Sequence, residues 1–138
     1  MVYGIGCDLC SIARMENSLL GPHGAVFARR VFGLAEQAAL GLPLAEEEVT
    51  ARRTAHTVAS AAADFAAKEA FLKAAGTGLR EPFSLCEIEA VRLPGGAPAY
   101  RFSGRSAQWV EARRLRAHLS LSHEDGMAMA YCNQETET

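Results

Sequence analysis

Residues 52–75 read RRTAHTVASAAADFAAKEAFLKAA and run into Gly76-Thr77-Gly78. Alanine has the highest helix propensity, so this stretch predicts one long helix from about Arg52 to Ala75, ended by glycines that can adopt a left-handed conformation. At about 100° per residue, Val58, Ala62, Phe65 and Leu72 fall in one narrow sector, the expected buried face. Glu69 lands inside that sector, about 40° from Phe65, whereas Asp64 and Lys68 are expected at the sides. A carboxylate facing a core costs several kcal/mol unless a positive charge meets it. Lys73, one turn later, is one candidate, and escape of the side chain to solvent is a second way out. A divalent metal completed by a carboxylate from a distant element is the third.

Asp8 is the obvious second acid. In MVYGIGCDLC, Val2, Tyr3, Ile5 and Cys7 predict a short buried strand ending at Asp8, which places that carboxylate at the strand's mouth. Ser11 is positioned to cap a helix bearing Ile12, Met15 and Leu19, which Gly21-Pro22 breaks. A second helix, Ala25 to Phe32, presents Arg29 and Arg30. Gly41-Leu42-Pro43 and Glu46, Glu47, Glu48 read as a surface connection.

Beyond the long helix, Cys86 to Leu93 and Ala99 to Phe102 predict a hairpin around Pro94-Gly95-Gly96. Ser106 to Arg116 has helical composition, His118 to Ser122 alternates with period two, and Asp125-Gly126 turns the chain into Met127 to Cys132. Gln134 to Thr138 are expected to fray. Helices and hairpins without a regular βα alternation indicate an α+β fold.

The chain has 138 residues with 14 basic and 16 acidic, a formal charge of −2. That size predicts one domain, 1–138, and that balance predicts no nucleic-acid partner. No stretch approaches the roughly 20 apolar residues of a membrane span, and the N-terminus lacks a basic leader with a cleavable apolar run. A cytoplasmic protein with reduced thiols and no membrane partner is therefore expected. Cys7-Asp8-Leu9-Cys10 is a CxxC at a strand end, so a thiol oxidoreductase is a rival reading. Cys86 and Cys132 stand apart from it, which leaves structural zinc without its other ligands. Gly4 and Gly6 begin a GxG pattern, but Cys10 stands near the place of the third glycine, which argues against a dinucleotide fold.

Three blocks, in order along nearly the whole chain, resemble the holo-acyl-carrier-protein synthase family. They are Gly4-Ile5-Gly6-Cys7-Asp8-Leu9 with Arg14, then Phe65-Ala66-Ala67-Lys68-Glu69-Ala70 with Lys73 and Gly76-Thr77-Gly78, and finally His118-Leu119-Ser120-Leu121-Ser122-His123. The resemblance implies the 4'-phosphopantetheinyl transferase fold, an antiparallel sheet packed on a long central helix. It implies transfer of 4'-phosphopantetheine from coenzyme A to a serine of an acyl carrier protein, with release of 3',5'-ADP, in the service of lipid biosynthesis. Asp8 and Glu69 match the family's catalytic, metal-binding acids, and magnesium is the implied cofactor. Magnesium takes one or two carboxylates together with phosphate and water, which suits a two-acid site beside a diphosphate. Glu69 is also the candidate acceptor for the serine proton, directly or through a water.

By the same resemblance, Lys73, Gly76 and His118 match coenzyme-A-binding positions, and Arg14 and Arg30 match contacts to the carrier protein. A homotrimer with sites at subunit interfaces is implied. Two departures stand out: Asp64 occupies a position where the family usually has arginine, and the stretch between Arg30 and Glu69 is longer than usual. A non-catalytic carrier-protein-binding relative is the alternative that Asp64 keeps open.

Overall fold

The computed structural model describes residues 1–44 and 51–137. The chain runs β1 (Val2–Ser11), α1 (Ile12–Leu20), α2 (Gly24–Val31), α3 (Leu34–Leu40), α4 (Ala51–Ala75), β2 (Ile88–Arg92), β3 (Pro98–Phe102), α5 (Gly104–Ala112), β4 (Leu115–Glu124) and β5 (Met127–Thr136). This is the expected α+β class. A three-stranded antiparallel sheet has the order β1-β5-β4, and β2 and β3 form a separate hairpin. The run Glu46 to Glu48 lies outside the described residues.

The long helix forms where its alanines predict it, and it lies against the inner face of the three-stranded sheet. Gly4 and Gly6 explain how close it comes. A Cβ on Gly4 would sit 1.9 Å from the Ala74 carbonyl oxygen, and one on Gly6 would sit 2.2 Å from that of Ala70. Only glycine on the strand, opposite alanine on the helix, allows backbone to approach backbone so closely. The GxG pattern thus serves strand-to-helix packing.

Strand β1 is longer than the sequence suggested and is buried on one face only. Asp8 pairs with Ala130 in mid-strand, three residues before the strand ends at Ser11. Alternation turns Gly4, Gly6, Asp8 and Cys10 toward α4 and leaves Tyr3, Ile5, Cys7 and Leu9 outside. Ser11 caps α1 as expected, its Oγ accepting the Arg14 amide at 3.3 Å.

Strand β5 extends through Thr136, so the predicted fraying of the C-terminal residues does not hold for Gln134 to Thr136. Gln134 is buried, and its Nε2 donates to the Phe71 carbonyl at 3.1 Å, joining the strand to α4. One apolar cluster is centred on Phe71, with Ala66, Ala67, Ala70, Phe83, Ile88 and Cys132. A second joins Met15 and Leu19 of α1 to Ala28, Val31, Phe32, Val58 and Ala62. No described helix is long and apolar enough to cross a membrane.

Helix α4 is covered on nearly all sides, which corrects the expected placement of its charges. Lys68 and Asp64, expected at the sides, are buried, while Phe65 and Glu69 are only half-buried. Periodicity identifies a buried face when the opposite face is polar, and a helix of alanines packed on several neighbours has no such face.

Candidate active site

Asp8 of β1 and Glu69 of α4 lie on the facing sides of the strand and the helix, close enough for the Asp8 charge to act on Glu69. The strand's alternation points Asp8 at the helix, and the close approach permitted by Gly6 places it opposite the Glu69 to Lys73 turn. Lys73 Nζ donates to Asp8 Oδ1 at 3.0 Å and to the Cys7 carbonyl at 2.9 Å. The Asp8 side chain is 18% exposed and that of Lys73 55%. The lysine therefore supplies Asp8 with a counter-charge on its solvent side. Its pKa is raised, first by the hydrogen bond to Asp8 and then by that carboxylate's charge.

Glu69 binds protons more tightly than an ordinary carboxyl. Partial burial raises its pKa, the Asp8 charge raises it further, and Lys73 opposes both. The Asp8 charge thus disfavours ionisation of Glu69. A like-charged pair with one lysine as counter-charge favours a further cation. Among the described residues, no three His, Cys, Asp or Glu side chains cluster closely enough to form a full protein cage. Two carboxylates alone would suit only a hard divalent ion that keeps positions for water and substrate oxygens.

Gly76 follows the last turn of α4 with φ of 79°. Its amide donates to the Leu72 and Lys73 carbonyls, and the space where a Cβ would stand is open. It is a helix-ending glycine and an accessible one. Arg14 is exposed on the first turn of α1, and Arg29 and Arg30 are exposed on the last turn of α2. The two helices pack together through Met15, Leu19, Ala28 and Val31.

His118 is not brought to the acid pair within the chain. It projects from the outer face of the sheet, opposite the face that carries α4, and its Nε2 lies 2.8 Å from Glu135 Oε1. Cys7 and Cys10 fall on opposite faces of β1, and all four cysteines are free. Burial raises the Cys10 pKa, which makes it a poorer nucleophile. This geometry removes the basis for a CxxC dithiol.

Residue-by-residue similarity decides the family. The 4'-phosphopantetheinyl transferase superfamily matches residues 4–132. The chain belongs to that superfamily, within its holo-acyl-carrier-protein synthase family. A holo-[acyl-carrier-protein] synthase from Delftia acidovorans is 37% identical over 132 residues, covering 96% of this chain and 95% of the relative. The crystal structure of the synthase from Neisseria meningitidis superposes with a TM-score of 0.76 at 29% identity, over 99% of this chain and 100% of that one. The synthase from Bacillus anthracis, solved in complex with CoA (3',5'-ADP), gives a TM-score of 0.72 at 28% identity, over 99% of each chain.

The surroundings of Asp64 show how a carboxylate is accommodated on this covered helix. Asp64 is buried, and Oδ1 accepts from Arg92 of β2 at 3.2 Å. Its pKa is raised to about 7, chiefly by burial and then by Glu36, against the pull of Arg92. It precedes Glu69 by five residues, about 140° around the helix, so it faces away from the acid pair. A cavity of about 360 Å³ lies near this pair, lined by His56, Ser60, Arg92, Pro98 and His123 among others.

Lys68, expected at a side of the helix, is instead wholly buried. Lys68 Nζ donates to Glu36 Oε1, to the Ile88 carbonyl at 2.6 Å and to the Leu85 carbonyl at 3.0 Å. Both side chains of the pair are fully buried. A lysine set among consecutive alanines was the available signal, since such a segment has no polar face for it. Its partner Glu36 lies in a helix that the sequence reading did not assign.

Proposed function

We propose that this chain transfers the 4'-phosphopantetheine arm of coenzyme A to a serine hydroxyl of an apo acyl carrier protein, in a magnesium-dependent reaction that releases 3',5'-ADP. The observation that carries this reading is the Lys73–Asp8 hydrogen bond at the β1–α4 crossing, beside a Glu69 whose pKa the Asp8 charge raises. The Bacillus anthracis relative, solved in complex with CoA (3',5'-ADP), supports coenzyme A as donor.

Asp8 and Glu69 are the residues that would hold magnesium. When bound, the ion neutralises charge on the diphosphate and orients it for in-line displacement. The serine oxygen forms a bond to the β-phosphorus while the bond from that phosphorus to the bridging oxygen breaks, and 3',5'-ADP departs with the electron pair. Glu69 accepts the serine proton, a role its raised pKa suits. Lys73 supplies an ammonium to the phosphate oxygens, and Gly76 leaves the adjacent backbone accessible to the coenzyme. Arg14 and Arg30 receive the acidic carrier protein.

Self-association completes the proposal. The outer sheet face carries Tyr3, Ile5 and Leu9 beside Met127, Met129 and Tyr131, all substantially exposed, with Leu9 at 63%. A contiguous apolar sheet face of this kind suits a subunit interface. His118 lies on that same side, so it would act at a neighbour's acid pair across the interface of a homotrimer. Free thiols fit a cytoplasmic location.

The test is mass spectrometry of an apo carrier protein incubated with this chain, coenzyme A and magnesium. A gain of one phosphopantetheine, lost on chelation of the metal, is expected. No gain with an authentic apo carrier protein would refute the reading.

A further inference from the structure

Helix α4 carries Glu69 and is packed on its neighbours through Phe71 and through buried Ala66, Ala67, Ala70 and Ala74. Gln134 and Tyr100 also donate to its carbonyls at Phe71 and Ala67. Directional hydrogen bonds from its own side chains add orientation to that packing. Lys68 makes three, one for each of its N–H donors, to Glu36, Leu85 and Ile88. Its ammonium also lies 5.5 Å from the centre of the Phe32 ring.

The acceptors are themselves fixed. Glu36 Oε1 accepts the Gly33 amide at 3.1 Å, and Oε2 accepts the Ala90 amide at 3.0 Å. The Glu36 amide donates to Glu89 Oε2 at 2.9 Å. Lys68 therefore ties α4 to the start of α3, to the turn before β2 and to β2 itself. Lys68 precedes Glu69 by one residue, so what holds the first holds the azimuth of the second, about 100° away. A helix rotation of about 20° would move a carboxylate several ångströms from the axis by about 2 Å. Magnesium requires near-ideal octahedral distances of about 2.0–2.1 Å, so an error of that size is decisive.

We propose that the buried Lys68–Glu36 pair is a positioning element that sets the rotation of α4 and thereby aims Glu69 at the metal site shared with Asp8. The inference rests on the metal reading of Asp8 and Glu69. Burying this ion pair costs desolvation that an apolar pair would avoid, and three well-aimed donors on a rigid frame are what an apolar pair cannot provide.

The test measures Mn2+ binding by calorimetry in the absence of substrate for the parent, Lys68→Met/Glu36→Gln, Glu36→Gln alone, and Val110→Ala, a core change in α5. The double variant replaces both buried charges together, and Glu36→Gln preserves the shape and acceptor of the pair. Circular dichroism reports folding. Affinity is expected to fall about tenfold or more in the double variant and severalfold in Glu36→Gln, and to stay at the parent value in Val110→Ala. If the double variant does not fold, Glu36→Gln decides the matter by the same measurement. Parent affinity in folded variants of the pair, or an equal fall in Val110→Ala, would overturn the positioning role while leaving the metal site standing. A parent chain that binds no Mn2+ while Asp8→Asn behaves identically would overturn the metal reading, and this inference with it.

Discussion

Asp8, Glu69 and Lys73 form an electrostatic unit in which the Asp8 charge acts on both of the others. Asp8 raises the Glu69 pKa, and Lys73 is hydrogen-bonded to Asp8. Asp8→Asn and Glu69→Gln should each lower transfer by at least about 100-fold, because charge facing the metal is lost. Neither should unfold the chain, and thermal melts beside the carrier-protein assay check both statements. Arg14→Glu, on an exposed helix turn, should raise KM for the carrier protein about tenfold or more and leave KM for coenzyme A unchanged. Equal changes in the two would show that Arg14 does not dock the carrier.

Asp64 gives the residue scale a pH signature. Its carboxyl titrates at about 7 in the folded chain, against an ordinary value of 3.8. Between those values the unfolded chain has lost a proton that the folded chain retains, so this group lowers stability as pH rises from about 4 to 7 and adds no further change above that. Asp64→Asn should remove this part of the slope, a gain of about 4 kcal/mol at most at pH 8. Urea titrations of both proteins across this range measure the difference between their curves. A parallel pair of curves would show that Asp64 ionises normally.

At the scale of elements, the contact of β1 with α4 governs the site. Gly6→Ala places a methyl carbon 2.2 Å from the Ala70 carbonyl, so strand and helix must separate. A loss of about 1–3 kcal/mol is expected, with a loss of metal affinity larger than that stability change alone explains. Denaturant midpoints and Mn2+ titration check the two effects separately. Much of this level was legible in the sequence. The alanine run gave away α4, Ser11 marked the start of α1, and the alternation after His118 marked β4. What stayed hidden arises from contacts distant in the chain. Asp8 stands in mid-strand because β5 pairs with β1 through Ser11. Lys68 is buried because Glu36 of α3 comes to meet it. A short helix such as Leu34–Leu40 has too few turns to display a period, so its role as the source of that partner could not be read.

For the whole molecule, the question is what covers the outer face of the β1-β5-β4 sheet. Alternation along β1 sent Tyr3, Ile5 and Leu9 outward, where a strand read as wholly buried would have hidden them. His118 belongs to the same side as these residues. Leu9→Lys should convert an oligomer to a folded monomer with greatly reduced transfer, as read by light scattering and activity together. A variant that keeps both its oligomeric mass and its activity would show that this face is not the interface.

The proposed function requires one divalent ion between β1 and α4. Crystals grown with Mn2+ and coenzyme A, measured for anomalous scattering, address this directly. A single strong peak is expected between the carboxylates of Asp8 and Glu69, within about 2.0–2.4 Å of an oxygen of each. Bound manganese held elsewhere, with those two carboxylates free of it, would contradict that requirement.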